Sequence, residues 1–280
     1  MKLPHEEANC RAILQKCSLL FEAAGKIWDI ASGLMADGTI FGRGNVEAVN
    51  VCLAGVYAKQ MCSFYAAVTL CQKGLGKDAE QHLRSMFQAF YNLKAMEIST
   101  DVPEFARLWI LWDIANTGRQ ADLIEKTKPE LGVGFVRMRK ELAPHRAEMG
   151  AEEWKTFIKN GPTKLNLAAH ADFLDRGIQG GNFRESYDAF YPQASSSHGY
   201  DLAEFVLPME GGGLQVNLSP TDKHVEAVVV SAIAFLRDSM AVLNALLKLG
   251  KDMELAAMTE IVESVRPKSP PPVAGGPSPA

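Results

Sequence analysis

The chain has 280 residues, of which 47% are apolar and 22% charged, so it is long and apolar enough to bury a sizeable core. Its formal charge of −4 excludes a global electrostatic case for nucleic-acid binding, although the distribution of charge can still create a local basic patch. The five cysteines, Cys10, Cys17, Cys52, Cys62 and Cys71, lack the paired spacing of a zinc site and read as reduced, buried thiols.

The N-terminal MKLPHEEANC carries charges where a signal peptide needs its apolar stretch. The longest nearly uncharged apolar run, 227–236, is ten residues long and too short to cross a bilayer. The expectation is a cytoplasmic protein with no membrane association.

Residues 7–35 repeat apolar side chains at three- and four-residue steps, with Ile13, Leu20, Phe21, Ala24, Ile27, Trp28 and Ala31, and predict one long helix. Three glycines in 38–45 end it. A second helix is predicted over 46–72, where small residues such as Ala48, Cys52 and Gly55 permit close helix approach. KGLGKD, 73–78, is a turn that delivers the next helix N-terminus and lacks the spacing of a phosphate-binding P-loop. The third helix, 78–98, carries Leu83, Met86, Phe87, Phe90 and Leu93 toward the core. Thr100 or Asp101 then caps a fourth, with Pro103 in its first turn, running to about Lys126.

The more polar stretch 127–182 predicts shorter helices near 134–148, 151–160 and 166–177, with Gly161-Pro162 and Gly180-Gly181 in the breaks. A helix over 183–192 follows. VLPMEGGGLQVNL, 206–218, suits a small hairpin or a loose loop. Ser219 is the expected N-cap of the last long helix, with Pro220 at its first position and an apolar face carried to about Val265. Residues 267–280, rich in proline and glycine, read as a disordered tail that could recruit a protein partner. The fold class is all-α, a bundle of long antiparallel helices with a polar helical insertion. It forms one domain over 1–266.

Two places carry candidate chemistry. Arg84, Gln88 and Asn92 lie at i, i+4 and i+8 on the third helix and share a face. An ordinary solvated face would carry Lys and Glu; Arg with two amides suits fixed hydrogen bonding in a cleft, and ordinary surface stays the other reading. If Arg84 is instead structural, Glu80 and Asp188 are its candidate carboxylate partners.

His198 lies in SSSHG after Tyr191 and Ser195, where an imidazole can serve as general acid or base or merely start a helix. His170, His82 and His145 read as structural, and His224 as exposed. Arg139 and His145 match the Arg-x₄₋₆-His spacing of HEPN-type ribonucleases. The composition makes such a match expected by chance, and Pro144 argues against a continuous helix there. No dinucleotide fingerprint, HExxH, EF-hand loop or GxSxG elbow is present, and no cofactor is expected.

LCQKGLGKDAEQHLRSMFQAFYNL, 70–93, and SYDAFYPQASSSHGYDL, 186–202, together resemble the bacterial helical family catalogued as domain of unknown function family 5677. The matching positions are Gly74, Ala79, Arg84, Ser85, Phe87, Tyr191, Ser195, His198 and Gly199, within a resemblance that spans roughly 50–205. Gln88 departs from it, standing where the family has Glu.

The resemblance implies a HEPN-like, metal-independent ribonuclease of the defence or toxin kind, acting on RNA as a homodimer. Arg84 and His198 would be its catalytic pair, and Tyr191 or Ser195 would orient the phosphate. The alternative is a non-catalytic nucleotide- or partner-binding module, in which Arg84, Gln88 and Asn92 hold a small anion or fix the fold. An immunity or regulatory partner of a toxin is a third reading.

Overall fold

The computed structural model describes residues 6–34, 47–127, 136–188, 206–208, 214–216 and 219–266. The first helical stretch is two helices, α1 (Glu6–Lys16) and α2 (Ser18–Leu34), where one was expected. The backbone bonds Cys17 N–H to Ile13 O (2.9 Å) and Phe21 N–H to Cys17 O (3.1 Å) continue across the break, so α2 stays stacked on α1.

Three helices make the centre: α3 (Ala48–Gln72), α4 (Gly76–Glu97) and α9 (Val225–Leu247). They pack against one another through Leu53, Phe64 and Ala67 of α3, Leu83, Met86 and Leu93 of α4, and Val229, Ile233 and Leu236 of α9, all buried. Helix α2 and α10 (Asp252–Val265) lie on α9. Helix α5 (Val102–Thr127) lies on α3, and α8 (Leu167–Gly177) on α4. The polar insertion supplies α6 (Val136–Met149) and α7 (Ala151–Asn160), which pack on α5. The architecture is an all-α helical bundle.

Among the described residues, α3 alone is long and apolar enough by composition to cross a membrane, against the expectation that the ten residues 227–236 are the longest such run. Here it is a core helix. One small hairpin is present: β1 (Val206–Pro208) pairs antiparallel with β2 (Leu214–Val216), Val206 opposite Val216.

Short-range signals set most boundaries. Asp101 caps α5, its Oδ1 accepting Glu104 N–H at 3.0 Å. Pro144 sits inside α6 without ending it, against the expectation that it would interrupt a continuous helix. Four of the cysteines are buried, but Cys62 is exposed, and all five are free thiols. The glycine-rich stretch 38–45 and the tail 267–280 lie outside the described residues.

Long-range contacts overrule two other expectations. Helix α9 begins at Val225, not at Ser219–Pro220, because 219–224 is tied to the α3–α4 turn. Thr221 N–H donates to Gly74 O (3.0 Å), and His224 Nδ1 lies 2.9 Å from Glu80 Oε1. Glu80 is itself buried and also faces Lys77 at 3.3 Å. His224 is therefore partly buried and paired rather than exposed, in a left-handed conformation at φ 65°.

The last helical stretch also divides, at Lys248–Gly250. Asn244, buried near the end of α9, accepts Lys251 N–H (2.9 Å) and donates to Asp252 Oδ1 (3.0 Å). That one side chain closes α9 and opens α10.

The tie at the α3–α4 turn is tight. A Cβ on Gly76 would stand 2.5 Å from Lys223 O. Gly76→Ala is expected to destabilise the fold by about 1–3 kcal/mol. Gly25→Ala in α2, where a Cβ meets nothing within 4 Å, should instead stabilise by about 0.5–1 kcal/mol. Urea unfolding of the two variants beside the wild type checks both signs; equal effects would remove the backbone approach as the reason for a glycine at 76.

Candidate functional site

The stripe on α4 faces a cavity. Arg84, Gln88 and Asn92 together line a space of about 600 Å³ enclosed by α3, α4, α5, α8 and the α7–α8 connection. Eight residues of helix rise about 12 Å, so the three side chains run along one wall.

The other walls were not visible as a group in the sequence. Helix α3 supplies Lys59. Helix α5 supplies Trp109, Trp112 and Asp113, and the end of α7 supplies Lys159 and Asn160. Three cations thus surround the space with one carboxylate, among the described residues. Lys59 did carry a signal: it is the one charged residue in the 25 residues of α3. A lone charge on an otherwise uncharged core helix marks a place where the helix meets polar space.

The walls are held by the backbone chemistry of their own elements. Trp112 Nε1–H donates to Ile158 O (3.0 Å), which fixes the α7 C-terminus against α5. Gly161 ends α7 at φ 85°, a left-handed value suited to glycine, and its N–H returns to Phe157 O at 2.8 Å. Asn160 Nδ2 donates to Lys164 O (3.1 Å). Asn166 caps α8 by accepting Ala169 N–H (2.9 Å).

His170 of α8 is the floor. It is 3% exposed, and its Nε2 has no hydrogen-bond partner. The Tyr91 ring meets it edge-on with centroids 6.0 Å apart. Burial pulls its pKa down from 6.5 to about 4, so the imidazole is neutral at physiological pH. The structural role expected of His170 holds, with the addition that it borders the cavity. Cys52 also borders it. Burial, assisted by Asp113, pushes that thiol up to about 12, so it is no nucleophile at neutral pH.

Tyr191, Ser195 and His198 lie outside the described residues, so of the six expected site residues the structure brings together Arg84, Gln88 and Asn92. The segment that precedes the other three is anchored on α8 and α4. Residues 183–188 are helical and begin on α8, where Asp175 accepts Phe183 N–H (2.7 Å) and Arg184 N–H (2.9 Å). Arg184 bridges Asp172 (3.2 Å) and Asp188 (3.0 Å), and the Tyr91 hydroxyl donates to Phe183 O. The two carboxylates considered for Arg84 are thus engaged elsewhere, Glu80 with His224 and Lys77, Asp188 with Arg184.

Compared with family models, curated proteins and solved structures, the chain has no significant match in any of the three. The chemistry of the lining is what can be read. Three cations attract a phosphate or carboxylate. Four side-chain amides, Gln88, Asn92, Asn160 and Asn166, offer hydrogen bonds, and two indoles offer flat apolar surface.

The buried neutral His170 has a consequence for stability. Its folded pKa lies below its unfolded value, so stability is full above about pH 6.5 and falls as pH drops toward 4, where the unfolded chain binds a proton that the folded chain refuses. The loss attributable to this residue is about 3 kcal/mol. Urea unfolding at pH 7 and pH 5 should show a steeper decline for wild type than for His170→Gln. Equal declines would mean that His170 is not held neutral.

Proposed function

We propose that the cavity beside α4 binds a phosphate-bearing ligand of nucleotide size. The observation that carries this is the convergence of Lys59, Arg84 and Lys159 on a space of about 600 Å³ that also holds amides and two tryptophans. The volume lies within the range of about 300–1,000 Å³ typical of small-molecule sites. Arg84 and the lysines neutralise the phosphate, and the amides and indoles take a base or another planar ring. On this reading the protein is a nucleotide-binding module, and Arg84, Gln88 and Asn92 are its recognition stripe.

The second reading is the HEPN-like ribonuclease or toxin-type defence effector, acting on RNA phosphodiesters as a cytoplasmic homodimer. What favours it is that Arg84, the arginine of the resembling motif, borders a cationic cavity with the surroundings a phosphodiester needs. Arg84 would neutralise the charge growing on the phosphate. His198 would move the proton of the 2′-oxygen or of the leaving oxygen, a contribution of about 10²–10⁴-fold. Tyr191 and Ser195 would orient the phosphate. Gln88, in place of the family's Glu, cannot act as an acid or base, so the proton transfers fall to His198.

Titration of the intact chain with a nucleoside 5′-monophosphate tests the first reading. Arg84→Ala and Lys59→Ala should each weaken binding at least about tenfold, the scale of a hydrogen bond to a charged group. His198→Ala should leave it unchanged. No saturable binding by the wild type would sink the module reading. The ribonuclease reading is tested by total-RNA integrity on induced expression: degradation by wild type, lost in both Arg84→Ala and His198→Ala at matched soluble levels, is its expected result. Intact RNA with folded wild-type protein removes it.

A further inference from the structure

A second and larger cavity, of about 1020 Å³, opens between α5, α6 and α7. Its walls are apolar. Ala115 and Gly118 stand on α5, Leu142 and Ala147 on α6, and Trp154 and Ile158 on α7. With alanine and glycine along α5 and α6, the three helices meet around space that no large side chain fills among the described residues. Phe157 is fully buried behind that surface and packs on Trp154 with ring centroids 5.7 Å apart, which steadies the α7 wall.

The charge around this groove has one sign. Arg119, Arg146, Lys155 and Lys159 border it, and no acidic side chain lines it among the described residues. Lys155 reaches Glu152 only at 4.0 Å, at the limit of an ion pair. The other carboxylate of α7, Glu153, is paired with Lys164. An apolar wall with a cationic rim matches a ligand that has an apolar chain and one anionic head.

A nucleic-acid strand fits the groove less well. Stacking successive bases needs several aromatic faces, and Trp154 is the one ring on this wall among the described residues. The aliphatic lining suits methylene groups.

We propose that this groove binds a single-chain amphiphilic carboxylate, a free long-chain fatty acid. Its chain lies along Leu142, Trp154 and Ile158, and its head is met by Arg119 and Arg146. The proposal does not depend on the phosphate cavity, although Lys159 borders both spaces.

The test uses the full-length protein and the tryptophan fluorescence change on adding octanoate, decanoate and dodecanoate below their micelle concentrations, with the matching alcohols as neutral controls. The expected result is a tightening of about fourfold per added methylene until the groove is filled. Dodecanoate should bind at least tenfold more tightly than dodecanol. Ala147→Trp, which fills the groove, should weaken dodecanoate at least tenfold while leaving nucleoside monophosphate binding intact. Arg119→Glu combined with Arg146→Glu places the change on exposed side chains and should abolish the preference for carboxylate over alcohol without altering the helical circular dichroism.

Affinity independent of chain length, or equal for acid and alcohol, overturns the proposal. So does binding unaffected by either variant. Association seen only with phosphatidylglycerol-containing vesicles would assign the surface to a membrane, and association seen only with a single-stranded RNA oligomer would assign it to nucleic acid. Either outcome also overturns the free fatty acid.

Discussion

Gln60 ties the three central helices together. It is fully buried in α3, and its amide nitrogen donates to Met86 O of α4 (3.0 Å) and to Ser239 Oγ of α9 (2.8 Å). A net contribution of about 0.5–1.5 kcal/mol per bond is modest, but leaving a buried donor unmade costs about 1–3 kcal/mol, so displaced pairings of these helices are penalised more than the aligned one is rewarded. Its Oε1 is buried without a partner, which makes the two bonds on the nitrogen side the ones that hold the alignment. Apolar packing among Leu53, Met86 and Leu236 can tolerate a displaced neighbour; a buried amide cannot.

The same alignment places the site. Lys59 precedes Gln60 on α3, and Arg84 and Gln88 flank the Met86 whose carbonyl Gln60 meets. Fixing α3 against α4 at Gln60 therefore fixes Lys59 opposite Arg84 and Gln88 across the cavity. The polar knot in the core and the cationic cavity at its side follow from one register.

This explains which parts were legible in the sequence. The Arg84–Gln88–Asn92 stripe was visible because i, i+4 spacing is local, and the structure puts it on one wall. Asp101 as a cap was visible for the same reason, and so was the turn expected over 73–78, although α4 already begins at Gly76. Lys59, Trp112, Lys159 and His170 come from four different helices or their ends, and nothing local makes them converge. The start of α9 was misplaced because Ser219-Pro220 carries good capping chemistry, while the competing tie of Thr221 to Gly74 and of His224 to Glu80 spans well over a hundred residues. The division between α9 and α10 was missed although its bonds are local: Asn244 sits on an apolar face, where the helical periodicity hides its capping of Lys251 and Asp252 seven and eight residues on.

Helix α7 couples the two cavities. Trp112 borders the cavity beside α4 and donates to Ile158 O, while Ile158 borders the groove beside α6, and Lys159 borders both. A lysine ammonium is one point charge. On the proposed readings, a phosphate in one space and a carboxylate head in the other share it, and each attenuates the attraction the other feels. Any such coupling is reciprocal by linkage: a ligand that weakens the other's binding is weakened by the same factor. The size of the coupling then depends on how far the head of the apolar ligand settles toward Arg119 and Arg146 rather than toward Lys159. Exposed Lys155 and Lys159 sit in high-dielectric surroundings, where screening by salt shortens the reach of either charge. The α7 C-terminus, tied by the Trp112 bond and closed by Gly161, keeps the shared lysine at the boundary between the two spaces.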